Sequence, residues 1–537
     1  MYNDVVVCSR TGDALLKQKA LLAVFIVAWF ALFGLVLAPP LGDSDTYFYK
    51  DAGANLALGH GLVSALTSGN PSFEPRLYAQ YPPLLGVAFG AFGALFGVGP
   101  RQNVLFNLAV SSVLALLVFR LFSRRDAPGG WRFYRPALAA LVALSLPMAF
   151  SLGDGEGDRP DALGLVAAMA ALLALGEAPG LGRYFAAAFL AGVALEISPI
   201  CGVLAAIAVA VFWLSRRRRG VPFWRLAPVA AGGFALCPAV VTGVLLLLDP
   251  TWLDRFLGIG APLASPQGEN PYLTERLIFL NLLTGHVGRF LAAYDWQNIR
   301  QLGHLVQYVK LALVWAAMLG YGAWRLLATR SPFGLGSVLL AAAVGLVPLL
   351  LMPYQVFYVG IVAGVVLALF ALVASPPEPA GLKAAQLAIL AGLAGIVAVN
   401  APLLARQLLY QAQLGPSLER MTETLARLKQ QHVFDGKIIA VPPELYMLFK
   451  QQGLEVVSWY GPYVDEPLAR QRIAFFALQY YGTGDPLRPM FPAFWEAKNY
   501  ELVYEPRLPQ LATLFGRPIS HSSVTWEAAI YRSRLAQ

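Results

Sequence analysis

Four consecutive arginines, Arg216 to Arg219, stand between an apolar run at 200–214 and another at 226–248. A helix of about 20 apolar residues spans the ~30 Å hydrocarbon core of a bilayer, and a block of guanidinium groups cannot follow it inside. The same alternation recurs. Arg124, Arg125, Arg132 and Arg135 follow a run at 102–122, and Arg325 and Arg330 follow one at 303–324. A chain built this way has no single water-facing surface around one core. It is expected to be an α-helical polytopic membrane protein whose arginine-rich turns face the cytoplasm. Composition agrees: 57% of residues are hydrophobic and 13% charged, against about 25% charged in soluble domains. The net charge of +9 therefore reflects topology, and nucleic-acid binding is not expected.

With those clusters inside, the remaining runs alternate. The first apolar segment, 20–38, follows Arg10, Lys17 and Lys19 and is succeeded by Pro39-Pro40 instead of a small-residue cleavage site. It reads as an uncleaved first span with the N-terminus in the cytoplasm. Further spans are expected at 102–122, 136–152, 161–176, 184–199, 200–214, 226–248, 303–324, 334–352, 355–374 and 383–401, about eleven in all. The short glycine-rich run 83–98 is read as interfacial or re-entrant, because a crossing there would put Arg124 and Arg125 outside. Residues 1–401 then form a membrane module with two larger outer loops, 39–101 and 249–302. The tail, 402–537, regains charge and carries no membrane-length run. "LERMTETLARLKQQ" has helical spacing, and "GKIIAVPP", "GLEVVSWY", "RIAFFALQYYG" and "YELVYEP" read as short buried strands. A small α/β domain on the periplasmic side is expected. The three cysteines, Cys8, Cys201 and Cys237, imply no disulfide framework. Alanine-, leucine-, glycine- and arginine-rich usage with compact loops points to a bacterial inner membrane.

The outer loop opens with "GDSDTYFYKDAGANLALGHGL" at 42–62, where Asp43, Asp45 and Asp51 lie among aromatics and glycines directly after a span. A carboxylate at a membrane boundary can accept a proton from a hydroxyl, and apolar surroundings raise its pKa and make it a better base. It can also hold a divalent cation such as Mg or Mn through oxygen ligands. In an extended segment Asp43 and Asp45 project to one side. The competing reading makes both acids caps of a helix beginning near Thr46.

The stretch "DTYFYKDAGANLALGHGL" followed by "YAQYPPLLG" resembles the first outer loop of the GT-C superfamily of membrane glycosyltransferases, which includes protein O-mannosyltransferases, lipid A aminoarabinose transferases and arabinofuranosyltransferases. Tyr49, Ala52, Asn55, Leu56, Gly59, Gly61 and Leu62 match the helix of that loop, and Tyr81-Pro82-Pro83-Leu84 matches its Pro-Pro-Leu element. Aligning Asn55 with the family's asparagine places Asp45 at the catalytic acid, with Asp43 as a second acid. "DRPDALGLVAAMAALLAL" at 158–175 resembles the second acidic segment of the family, which would set Asp161 and Arg159 opposite Asp45. "LAGVALEISPI" at 190–200 stands where relatives carry a lysine before proline; here Ser198 occupies that place and Glu196 precedes it. The "WWDYG" signature of oligosaccharyltransferases is missing. Motif support is confined to 42–86 and 153–200 within a resemblance of organisation over about the first 400 residues.

The resemblance implies an inverting transfer of a sugar from a polyprenyl-phosphate-type lipid donor to a glycan, lipid or protein acceptor, with Asp45 as general base. Lys50, His60, Arg76, Tyr81, Arg159, Asp161, His286 and Arg289 are the candidate donor- and phosphate-binding residues. Cationic loop residues also anchor to lipid headgroups without any catalytic part. A lipid-linked sugar transporter or flippase, or a non-catalytic assembly protein of the same architecture, remains the alternative. Transporters usually show internal repeats and midplane charges, whereas the acids here gather at one face.

Overall fold

A computed structural model describes residues 16–28, 45–65, 74–79, 81–123, 136, 160–175, 180–216, 222–257, 405, 408–409, 412, 416–442, 445–458, 471–479, 499–506, 513–514, 517–518 and 526–534. The expected span at 136–152 beyond residue 136, those between 303 and 401, the loop 249–302 beyond residue 257, and residues 29–38 lie outside the described residues.

Helix α1 covers 16–28, and α2 runs Asp45–Ala57. A two-residue ladder follows, β1 (Val63–Ser64) antiparallel to β2 (Arg76–Leu77). Helix α3, Leu84–Phe96, starts after Pro82-Pro83, where the missing N–H groups of proline cost a helix nothing. At thirteen residues it is about 20 Å long, shorter than the ~30 Å hydrocarbon core. Helices α4 (Pro100–Ser123), α5 (Asp161–Leu175), α6 (Leu181–Leu195), α7 (Pro199–Arg216), α8 (Phe223–Leu248) and the short α9 (Trp252–Leu257) complete the helical part described. Among the described residues two helical stretches, Pro100–Leu121 and Phe223–Leu248, are long and apolar enough to cross a membrane by length and composition. They overlap the runs at 102–122 and 226–248.

Small residues set the spacing of these helices. A methyl group at Gly53 of α2 would lie 2.4 Å from the Gly86 carbonyl oxygen of α3, and one at Gly90 would lie 2.7 Å from Leu56 Cδ2. The α6–α8 crossing is equally tight: methyls at Gly192 and Gly233 would sit 2.3 Å from the Phe234 carbonyl and 2.7 Å from that of Phe185. Such backbone approach lets dispersion hold apolar helices together where no hydrophobic driving force exists. Helix α5 is apolar on every side and largely buried, as an all-round hydrophobic helix must be. By contrast α8 leaves Val240, Val244, Leu247 and Leu248 exposed, an apolar stripe at helical spacing that is unfavourable in water.

The tail holds helix α10 (416–430) and α11 (Tyr446–Gln451) beside a five-stranded sheet. Its strands are β3 (Ile438–Val441), β4 (Glu455–Ser458), β5 (Ile473–Gln479), β6 (Tyr500–Tyr504) and β9 (Ala528–Ser533), in the order β4-β3-β5-β9-β6. β3 pairs parallel with β4 and β5, and β9 pairs antiparallel with β5 and β6. A separate ladder joins β7 (Thr513–Leu514) to β8 (Arg517–Pro518). Strands β3 to β6 fall within the four apolar runs read as strands, and α10 covers the helical "LERMTETLARLKQQ" segment. Leu418, Met421, Leu425 and Leu428 bury one stripe of α10, at the spacing of an amphipathic helix. β9 had no counterpart in the sequence reading.

The glycine contacts carry a direct test. Gly53→Ala drives its methyl into a backbone oxygen, and a loss of about 1–3 kcal/mol is expected from overpacking. Gly232→Ala, with nothing within 4 Å of the added methyl, is expected to be neutral or to gain up to about 1 kcal/mol of helix propensity. Thermal unfolding in detergent micelles separates the two; equal melting temperatures would contradict the close approach.

Candidate functional site

Helix α2 opens at Asp45. Asp43 lies outside the described residues. The rest of the helix is built from small residues toward α3 and from two adjacent charges, Lys50 and Asp51, that point into separate buried environments. Lys50 is fully buried, and its Nζ donates to Asn103 Oδ1 and Asn107 Oδ1 of α4, each at 2.6 Å. The rings of Phe89 and Phe106 flank the ammonium, with both centroids at 5.3 Å, a cation–π arrangement.

Asp51 is 1% exposed and gathers donors from four directions. Ser64 Oγ donates to its Oδ2 at 2.6 Å, Asn55 Nδ2 lies 3.4 Å from both oxygens, the Tyr446 hydroxyl donates to Oδ1, and Lys450 Nζ stands 3.3 Å from Oδ1. Asn55 also donates to the Val63 carbonyl at 2.7 Å, tying the end of α2 to β1. A buried carboxylate is tolerable only when its lone pairs are satisfied and a counter-charge is near. Here both conditions are met by residues from α2, β1 and α11. Lys450 itself keeps 10% side-chain exposure and lies 5.9 Å from the Tyr446 ring centroid.

The other sequence-derived candidates distribute as follows. Tyr81 is half-buried and meets Tyr49 edge-on, with centroids 4.9 Å apart. His60 is exposed just past α2, its N–H bonded to the Asn55 carbonyl at 2.9 Å. Arg76 stands on β2 opposite Ser64, 42% exposed and 4.0 Å from the Glu74 carboxylate. Asp161, the first residue of α5, is fully buried and accepts the Ser198 hydroxyl at 2.7 Å, while the Cys201 thiol lies 3.5 Å from its carbonyl. Arg159, His286 and Arg289 lie outside the described residues. Among the described residues no three histidine, cysteine, aspartate or glutamate side chains come together as a metal cluster.

Two contacts bring the motif-bearing segments together. The first free N–H of α3, from Leu84, donates to the Glu196 carbonyl at 3.2 Å, so an otherwise unpaired helix-end donor is satisfied. Two residues further on, Ser198 holds Asp161. The turn at 196–198 thus touches the Pro-Pro-Leu element on one side and the second acidic segment on the other. The foot of α9 is fixed to the first loop as well. Trp252 Nε1 donates to the Tyr78 carbonyl at 2.7 Å and Arg255 to that of Leu77 at 3.0 Å. Asp249 organises this foot, accepting from the Thr251 amide and hydroxyl and pairing with Arg255. The Thr251 hydroxyl bond, above all, holds its carboxyl below the usual range.

Sequence reasoning noticed Asp51 but gave it no role, and missed Ser64, Tyr446 and Lys450. The local signal was a Lys-Asp pair at the centre of a small-residue helix that packs on both sides. Nothing local marks a partner 395 residues away.

No protein-family model matches the sequence, and no curated protein matches it. Among solved structures the chain is similar to ArnT from Cupriavidus metallidurans bound to undecaprenyl phosphate, with a TM-score of 0.54 at 13% identity over 96% of this chain and 99% of that one. Looser likenesses are to the Archaeoglobus fulgidus oligosaccharyltransferase in the apo form, TM-score 0.48 at 14% identity over 85% of this chain and 69% of that one, and to AglB of the same organism in complex with an inhibitory peptide and a dolichol-phosphate, TM-score 0.44 at 13% identity over 85% and 69%. Identity this low speaks to architecture, and the architecture is clear: the chain has a GT-C-type fold, shared with ArnT along almost its whole length.

Proposed function

We propose that the chain is an integral-membrane glycosyltransferase that moves a sugar from a polyprenyl-phosphate-type donor to an acceptor hydroxyl on the periplasmic face of a bacterial inner membrane. The observation that carries this reading is the convergence at α2. The helix opening at Asp45 is packed against α3, whose start bonds the 196–198 turn that holds Asp161, within a fold shared with a structure that binds undecaprenyl phosphate. Membrane residence, with about eleven spans and the tail on the periplasmic side, is part of the same proposal.

In this reading the Asp45 carboxylate takes the proton of the acceptor hydroxyl. The acceptor oxygen bonds the anomeric carbon as the bond from that carbon to the lipid phosphate oxygen breaks, with inversion, and the lipid phosphate departs as an anion. A donor whose tail stays in the bilayer delivers its anomeric carbon to the interface without any loss of orientation. The departing phosphate requires fixed positive charge. Arg76 and His60 on the first loop, Arg159, and His286 and Arg289 on the second are assigned to it, Tyr81 to the sugar face. Lys50 contributes charge from behind the helix, and Asp161 with Ser198 supports the opposite wall. A divalent cation such as Mg or Mn, where used, would take Asp43 and Asp45 as ligands.

Lipid mass spectrometry tests the activity in cells carrying wild-type chain, no chain, or equally expressed Asp45→Asn. One polyprenyl-linked sugar is expected to accumulate in both the null and the variant cells. Accumulation in the null without accumulation in Asp45→Asn would remove Asp45 as the base and favour transport or assembly. Orientation has its own test: with Cys8 replaced, a Gln431→Cys chain, altered at an exposed position, is expected to react with a membrane-impermeant maleimide in intact spheroplasts. Labelling only after lysis would put the tail in the cytoplasm.

A further inference from the structure

Among the described residues the tail meets the first-loop helices at α11. Helix α11 touches both α2 and α4. On one side of it lies the buried cluster of Asp51, Ser64, Asn55, Tyr446 and Lys450. On the other side a cleft of about 430 Å³ opens between Arg101 and Gln102 of α4 and Glu419 and Glu423 of α10. At the edge of that cleft Gln451 rests over Gly99, where a methyl would meet its Oε1 at 2.7 Å. The fastening at α11 therefore includes polar, directional bonds to one carboxylate, with an open cleft beside it.

That carboxylate is six residues from Asp45 on the same helix, and α2 is also braced by α3 through glycine contacts and by α4 through the Lys50 bonds to Asn103 and Asn107. We propose that Lys450 and Tyr446 are positioning residues for the general base: through Asp51 they fix the rotation and height of α2, and hence where Asp45 stands relative to donor and acceptor. The tail is then a working part of the catalytic unit rather than a cover over it. This rests on the transferase reading given above. Neither residue needs to touch substrate. A displacement of about 1 Å at a reacting group is enough to cost on the order of a hundredfold in rate, so a clamp one and a half turns away has leverage over turnover and little over donor affinity.

The test uses the full-length chain in nanodiscs, with the polyprenyl-linked sugar that accumulates in null cells as donor and undecaprenyl phosphate as a binding probe. Lys450→Met is expected to lower kcat by about tenfold to a hundredfold, with KM for the donor and Kd for undecaprenyl phosphate within about twofold of wild type. Backbone amide exchange should quicken across 45–57 and stay unchanged across 473–479 in β5. Lys450→Arg is expected to recover kcat to within about threefold, since a cation is restored. Tyr446→Phe, which removes one hydrogen bond and no charge, covers the case in which Lys450→Met does not fold, and should lower kcat by roughly threefold to tenfold with the same exchange signature. Wild-type kcat in Lys450→Met overturns the proposal, as does a loss accompanied by equally faster exchange in β5, which is tail unfolding. Unchanged exchange at 45–57 also overturns it. Failure of the wild type to turn over any donor instead overturns the transferase reading, and the exchange arm then decides the mechanical link by itself.

Discussion

The approach of α2 to α3 at Gly53 and Gly86 is the constraint from which the rest of the arrangement follows. Two helices packed so closely that a side chain at Gly53 would collide with main-chain oxygen of the neighbour are hard to slide or rotate independently. Fixing that pair fixes the helix that begins at Asp45, the Pro-Pro-Leu start of α3, and through the Leu84–Glu196 bond the turn that holds Asp161. Dispersion between close backbones is individually weak and works only when summed along a helix. The same device recurs at the α6–α8 crossing, where Gly192 and Gly233 meet backbone oxygens.

Against this apolar scaffold the two neighbouring charges of α2 enter different surroundings. Lys50 donates to the amide oxygens of Asn103 and Asn107 between the rings of Phe89 and Phe106. Asp51 is met by a full cation and by hydroxyl and amide donors, which complete its hydrogen bonding and come close to neutralising it. Burying an ion pair often adds little net stability, and removing one partner leaves an expensive orphan. Its value lies in allowing one geometry and penalising the rest. Helix α2 is thus held by shape on one side and by charge on the other.

The sequence disclosed what is local and periodic. Arginine blocks separating apolar runs announced the helices, and "KIIAV", "LEVVS" and "IAFFALQ" announced strands as short apolar runs rich in β-branched and aromatic residues. The helix expected near Thr46 begins at Asp45. β9 escaped because "EAAIYRS" mixes good helix formers with two charged residues, and its strand state comes from the antiparallel ladders on both sides, a tertiary effect that overrides propensity. The site was half legible. Asp45, Asp161, Ser198 and the Pro-Pro-Leu element could be named from resemblance and chemistry. The tail partners of Asp51, Tyr446 and Lys450, could not, since pairing across 395 residues leaves no spacing to read. Ser198, conspicuous only as the absence of a lysine, turns out to be the hydrogen-bond donor to Asp161.

That long separation has a consequence for biogenesis. A ribosome reaches Tyr446 only 395 residues after Asp51, which at about 5–20 residues per second is a delay of roughly 20–80 s. Throughout that interval α2 carries a carboxylate whose counter-ion Lys450 has not been synthesised. The cluster around Asp51 can therefore be completed only after synthesis has reached the tail, so this contact of the first-loop helix is made late.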